Sequence, residues 1–172
     1  MKQERCEEGY LLISKKEVTK VLTRPGLHWS VADYELYKKF SEQHEYCVKI
    51  TEFIDTTHFK MEKLDIMMSV QRCLDTKDHK IKNFVDEELI YRIVETWTRI
   101  YHDCLEFSKK NLPPNQYFLH GDMHTGNLVI TKDKQVKLID PNSFETHQKF
   151  LLSSYISGNA RLLTDALMWQ YL

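Results

Sequence analysis

The chain has 172 residues, 42% hydrophobic and 28% charged, a composition that suits one globular domain or two small lobes around a cleft. Its 24 basic and 25 acidic side chains leave a net charge of -1, which gives no electrostatic argument for a nucleic-acid or membrane partner. No apolar run approaches the ~20 residues of a spanning helix, no signal peptide opens the chain, and Cys6, Cys47, Cys73 and Cys104 form no C-x-x-C pair, so they read as reduced thiols of a cytoplasmic protein.

Residues 10–14 and 18–22 are short β-rich runs joined by polar Lys15, Lys16 and Glu17, which predicts a hairpin. Arg24-Pro25-Gly26 breaks the chain. Ser30 reads as a helix N-cap, with Asp33 three residues later. Val31, Tyr34, Leu36, Tyr37 and Phe40 carry helical spacing to about Gln43. Two further strands are predicted over 48–54 and 58–62, separated by Asp55-Thr56-Thr57. Residues 64–74 are predicted helical. Asp86 then caps the longest helix, with Glu87 and Glu88 in its first turn and Lys109 and Lys110 in its last. Its stripe runs Leu89, Ile90, Ile93, Val94, Trp97, Ile100, Tyr101, Cys104, Leu105, and Asn111 with Pro113-Pro114 stops it. A second hairpin follows over 128–130 and 136–139, and residues 150–172 are predicted mostly helical with a break at Gly158-Asn159. The expected organisation is a β-rich lobe over 1–63 and a mainly helical lobe over 64–172.

The chemistry concentrates in residues 117–130, YFLHGDMHTGNLVI, and in the strand that ends in Asp140. The pattern is H-x-D-x-x-x-x-N, a hairpin, then a strand with a terminal Asp. Phosphoryl transfer asks for this set: one carboxylate to orient a hydroxyl, and an amide with a second carboxylate to hold magnesium against phosphates. Asp122 is the candidate base and Asn127 and Asp140 the candidate metal ligands. His120 is a candidate brace of the loop. As isolated residues, Asp122 reads as an Asx-turn residue, Asn127 as a turn residue after Gly126, and Asp140 as a strand cap. A zinc site built on His120 and His124 lacks further ligands in any motif relation. Lys20 shares a strand face with Val18 and Leu22, so it is a candidate phosphate contact with Glu35 as its partner. The plainer reading is two solvated charges on an edge strand and a helix.

The strings FLHGDMHTGNLVI and VKLIDPNSF resemble the catalytic loop and metal-binding strand of the protein-kinase-like superfamily. Gly121, where regulated eukaryotic kinases carry Arg, makes the string similar to the aminoglycoside and choline kinase branch. Residues 122–127 and 140–144 also resemble the early protein kinases of lytic bacteriophages. The resemblance implies a compact two-lobe α+β fold, with a small antiparallel-sheet N-lobe and a truncated helical C-lobe. It implies ATP and Mg2+ as cofactors, with Lys20 on the α- and β-phosphates and Glu35 as its partner. Val18 would line the adenine pocket, and Met61, Glu62 and Leu64 would form the hinge against adenine. The glycine-rich loop is missing, only Gly9 preceding the first hairpin. The short stretch after Asp140 leaves no A-P-E segment. The expected activity is that of a minimal phage-type protein serine/threonine kinase acting on host proteins in the host cytoplasm. The alternatives are a small-molecule kinase of the aminoglycoside or choline type and a pseudokinase-like protein-binding module.

Overall fold

The computed structural model describes residues 2–6, 9–23, 29–76, 78–118 and 123–140. The chain forms two compact units, Met1–Asp65 and Ile66–Leu172.

In the first unit, β1 (Lys2–Cys6), β2 (Gly9–Ile13), β3 (Glu17–Leu22), β4 (Ile50–Asp55) and β5 (His58–Glu62) make one antiparallel sheet of order β1-β2-β3-β5-β4. The β2–β3 hairpin turns through Ser14, whose hydroxyl accepts the N–H groups of Lys16 and Glu17 at 3.2 and 3.0 Å. The β4–β5 hairpin turns on Asp55, which accepts the Thr57 N–H at 2.8 Å. Gly9 is required by close approach, since a Cβ there would stand 1.9 Å from the Val21 carbonyl oxygen. Helix α1 (Val31–Gln43) starts in a capping box: Ser30 accepts the Asp33 N–H and Asp33 accepts the Ser30 N–H. Its inward residues Tyr34, Tyr37 and Phe40 are buried. Tyr34 stacks on Phe53 at 5.0 Å, and Trp29 packs between Tyr37 and Phe59 at 5.8 and 4.9 Å. Such ring pairs contribute about 0.5–1.5 kcal/mol each beyond the area they bury.

The second unit contains β6 (Ile66–Ser69), α2 (Val70–Asp75), α3 (His79–Phe84), α4 (Glu87–Asn111), β7 (Leu128–Thr131) and β8 (Val136–Leu138), with the strands ordered β6-β7-β8. Helix α4 is capped by Asp86, which accepts the Leu89 N–H at 2.9 Å, and it buries Leu89, Ile90, Ile93, Trp97, Ile100, Cys104 and Phe107. No helix among the described residues is long and apolar enough to cross a membrane. None of the four cysteines, all among the described residues, forms a disulfide.

Three elements differ from the sequence reading. Strand β1 was not expected, because its side chains are polar and mostly exposed on a sheet edge and carry no alternating apolar signal. The predicted helix over 64–74 is instead β6 followed by the short helix α2. Met68 and Ser69 pair with Ile130 and Val129, a non-local ladder that local pattern does not encode. Helix α3 fills a stretch to which no element was assigned. The predicted helices of 150–172 and the break at Arg24-Pro25-Gly26 lie outside the described residues.

Candidate active site

In the second unit, the motif loop is tied on both sides. After α4 the chain folds back so that the Phe118 N–H donates to the Ser108 hydroxyl at 2.7 Å, and the Phe118 ring packs on Phe107 at 5.0 Å. The Ser108 hydroxyl in turn donates to the Cys104 carbonyl at 2.6 Å. His120 and Asp122 come next and lie outside the described residues. Beyond them, residues 124–127 form a turn in which the Asn127 N–H donates to the His124 carbonyl at 3.0 Å. His124 Nδ1 accepts the Gly126 N–H at 3.0 Å. A Cβ on Gly126 would meet that ring at 2.7 and 2.8 Å, so the turn needs glycine there while the ring keeps this position.

Asn127 and Asp140 are brought to adjacent ends of the β7–β8 hairpin. The Ile139 N–H donates to the Asn127 carbonyl at 2.8 Å, one residue before Asp140. Asn127 is buried, with 8% of its surface exposed. Asp140 has a φ of 59°, in the left-handed region that Asp and Asn enter more readily than other side-chain residues. A non-glycine residue held there is a backbone irregularity of the kind that collects at functional sites. Both side chains offer hard oxygen donors, and these suit Mg2+ better than a soft-ligand metal.

The far end of the hairpin is anchored to α4. Lys134, itself at a φ of 62°, pairs through Nζ with the N-cap Asp86 and lies 5.3 Å over the Phe84 ring. Arg92 donates to its carbonyl at 3.3 Å. The Lys134 side-chain hydrogen bond, then the Leu89 N–H, hold the Asp86 carboxyl below the usual carboxylate range.

In the first unit, Lys20 sits on the central strand β3, opposite Leu11 and Phe59, and is fully buried. The reading of Lys20 as a solvated edge-strand charge is therefore overturned. A buried ammonium is expensive unless charge or hydrogen bonds compensate it. Glu35 is exposed on α1, on a different side from the buried Tyr34 and Tyr37. Val18, expected to line the adenine pocket, and Met61, expected in the hinge, are direct cross-strand partners. Glu62 closes β5: its N–H donates to the Lys49 carbonyl at 2.9 Å, and its carboxylate accepts the Lys49 N–H at 2.8 Å. Nearby, on the sheet-facing side of α1, the Tyr37 hydroxyl donates to the Val48 carbonyl at 2.6 Å. Burial, then the charges of Cys47 and Glu62, push that hydroxyl well above its ordinary pKa. Leu64 is half-buried just past the strand.

The search against family models finds no match. Among curated proteins, the chain is 36% identical over 94 residues to a methylthioribose kinase of Geobacillus thermodenitrificans (strain NG80-2), covering 52% of this chain and 22% of that one. It is 35% identical over 66 residues to a methylthioribose kinase of Geobacillus kaustophilus (strain HTA426), covering 37% of this chain and 16% of that one. The matched part therefore spans about a fifth of these relatives' own lengths. Among solved structures, a choline/ethanolamine kinase family protein from Mesorhizobium loti superposes with a TM-score of 0.54 at 8% identity, over 99% of this chain and 69% of that chain. At that identity the likeness establishes the fold alone: a mixed α+β arrangement with an antiparallel N-terminal sheet, shared with that protein. None of these three is a phage protein kinase.

Proposed function

We propose that this chain carries the nucleotide- and metal-binding core of an ATP-dependent phosphotransferase whose acceptor is the hydroxyl of a small molecule. The observation that carries the reading is the 2.8 Å backbone bond from the Ile139 N–H to the Asn127 carbonyl, which brings the chain at Asn127 next to the strand end that leads into a left-handed Asp140 and supports reading the two as metal ligands. The sequence reading put a protein Ser or Thr hydroxyl first. The relatives named methylthioribose kinase and the choline/ethanolamine kinase fold favour the small-molecule alternative instead.

In this reading, Lys20 neutralises the nucleotide phosphates, Val18 lines the adenine pocket, and Met61, Glu62 and Leu64 form the hinge. Asn127 and Asp140 would hold Mg2+, which when bound supplies positive charge to the phosphate oxygens. The acceptor hydroxyl oxygen attacks the γ-phosphorus, the bond from that phosphorus to the bridging β–γ oxygen breaks, and ADP departs. The hydroxyl proton passes to the Asp122 carboxylate, with His120 bracing the loop. Positioning and charge account for most of the rate in such transfers, since the protein makes no covalent bond.

The test is incubation of the protein with ATP and Mg2+ against methylthioribose, choline, ethanolamine, an aminoglycoside and a mixed protein substrate. ADP release and mass spectrometry of the products are followed. A phosphate ester on a small alcohol, formed at least about 10²-fold more slowly by Asp122→Ala, supports the reading. Phosphate found on protein alone overturns the choice of acceptor, and absence of Mg-nucleotide binding overturns the phosphotransferase.

A further inference from the structure

Outside the groups used above, Gln71 contacts the motif loop twice, once through its backbone and once through its side chain. Helix α2 begins at Val70, with Ser69 as its N-cap accepting the Arg72 N–H at 3.2 Å. That cap leaves the Gln71 N–H among the unsatisfied donors of the first turn. The Gln71 N–H donates to the Thr125 carbonyl at 3.0 Å, so a loop carbonyl completes the helix end. The Thr125 hydroxyl donates back to Gln71 Oε1. Gln71 Nε2 is held by Asp75 Oδ2 at 2.9 Å, one turn further along α2. The side-chain amide is thereby oriented: its nitrogen is committed to Asp75, so its oxygen faces the loop. Thr125 lies two residues before Asn127 and three after Asp122.

We propose that Gln71 is a positioning residue of the site: with Asp75 as its orienter, it fixes Thr125 and through it the loop that carries Asn127. This rests on the phosphotransferase reading above. The two bonds to Thr125 differ in kind. The backbone bond survives any substitution at 71, whereas the hydroxyl bond needs an acceptor held in one orientation. Hence the Asp75–Gln71 pair, which lies exposed on a short helix and adds little to stability, has a geometric use. Gln71 touches neither nucleotide nor metal in this scheme and acts only by holding the loop.

The variants are Gln71→Ala, Gln71→Glu, and Gln71→Glu with Asp75→Asn. Glu alone keeps an acceptor for Thr125 but sets two carboxylates together. The double variant restores a donor at 75 and an acceptor at 71. Two measurements are made on each: hydrogen exchange of residues 123–131, and calorimetric affinity for ADP with and without Mg2+. Gln71→Ala and Gln71→Glu should raise loop exchange and weaken the Mg-dependent affinity about tenfold or more, with Mg-free affinity and exchange in α4 unchanged. The double variant should regain the parent's values. Parent-like loop exchange in Gln71→Ala overturns the proposal. So does faster exchange with undiminished Mg–ADP affinity, or a double variant as impaired as Gln71→Glu. A parent that binds no Mg–ADP overturns the phosphotransferase reading and this role with it, while the exchange data still report whether Gln71 holds the loop.

Discussion

The carbonyl of Asn127 and the N–H of Ile139 are joined by a 2.8 Å hydrogen bond that begins the β7–β8 ladder one residue short of Asp140. A strand pair that opens with this bond has no slack between the loop and the strand end. The next residue leaves the ladder at once, with a φ of 59°. This backbone contact and this unusual dihedral angle both help to place the two candidate metal ligands, and each can be tested.

At position 140, backbone and charge are separable. Asn tolerates the left-handed region, Gly is free in it, and Ala pays about 1–2 kcal/mol. Asp140→Asn and Asp140→Gly should melt near the parent, and Asp140→Ala lower. All three should lose the gain in ADP affinity that Mg2+ confers. Calorimetry and thermal melts decide it, and an Mg-dependent gain retained in Asp140→Asn would remove the residue from the metal site.

Lys20→Met should bind ATP about 10- to 100-fold more weakly, the effect expected when a charge-assisted bond to phosphate is lost. Titration of ATP into both proteins measures this directly. If affinity is unchanged while the melting temperature falls, Lys20 is a buried structural lysine and has no part in the clamp.

Gly126→Ala should destabilise by about 0.5–1.5 kcal/mol, because the new methyl group displaces the exposed His124 ring and breaks its bond to the 126 N–H. The same change in a His124→Ala background should be nearly neutral. A double-mutant cycle by denaturant unfolding reads the coupling. Equal effects in the two backgrounds would show that the glycine serves the backbone and not the ring.

Asp86 carries an acid-limb prediction. Its folded pKa is depressed, chiefly by the Lys134 hydrogen bond, so its stabilising contribution is present above the unfolded value of about 3.9 and is lost as pH falls through the folded one. Asp86→Asn keeps an N-cap for α4 but loses the charge. The difference in melting temperature between parent and variant should be constant near neutrality and shrink below about pH 4. A difference that does not change with pH would place the effect in helix capping alone.

The sequence by itself determined those elements whose signals are local. The Ser30–Asp33 capping box, the Asp86 cap with its acidic first turn, the 3.6-residue stripe of α4 and the turn at 132–135 each involve residues within a few positions of one another. The H-G-D-x-H-x-G-N string is legible for the same reason: its candidate groups are compressed into one loop, and the α+β fold with an antiparallel N-terminal sheet that it suggested is observed. Tertiary structure decided what depends on distant partners. Residues 66–69 are a strand because β7 lies beside them, Lys20 is buried because β3 is flanked by β2 and β5, and Glu35 stays exposed because Tyr34 and Tyr37 take the inward side of α1. The bond between Gln71 and Thr125 spans 54 positions, and no local pattern marks it. Nor does the sequence announce that Asp140 turns left-handed. Side-chain type and spacing report short-range preferences, whereas strand pairing, burial and an irregular dihedral angle follow from contacts that form only when the distant segments meet.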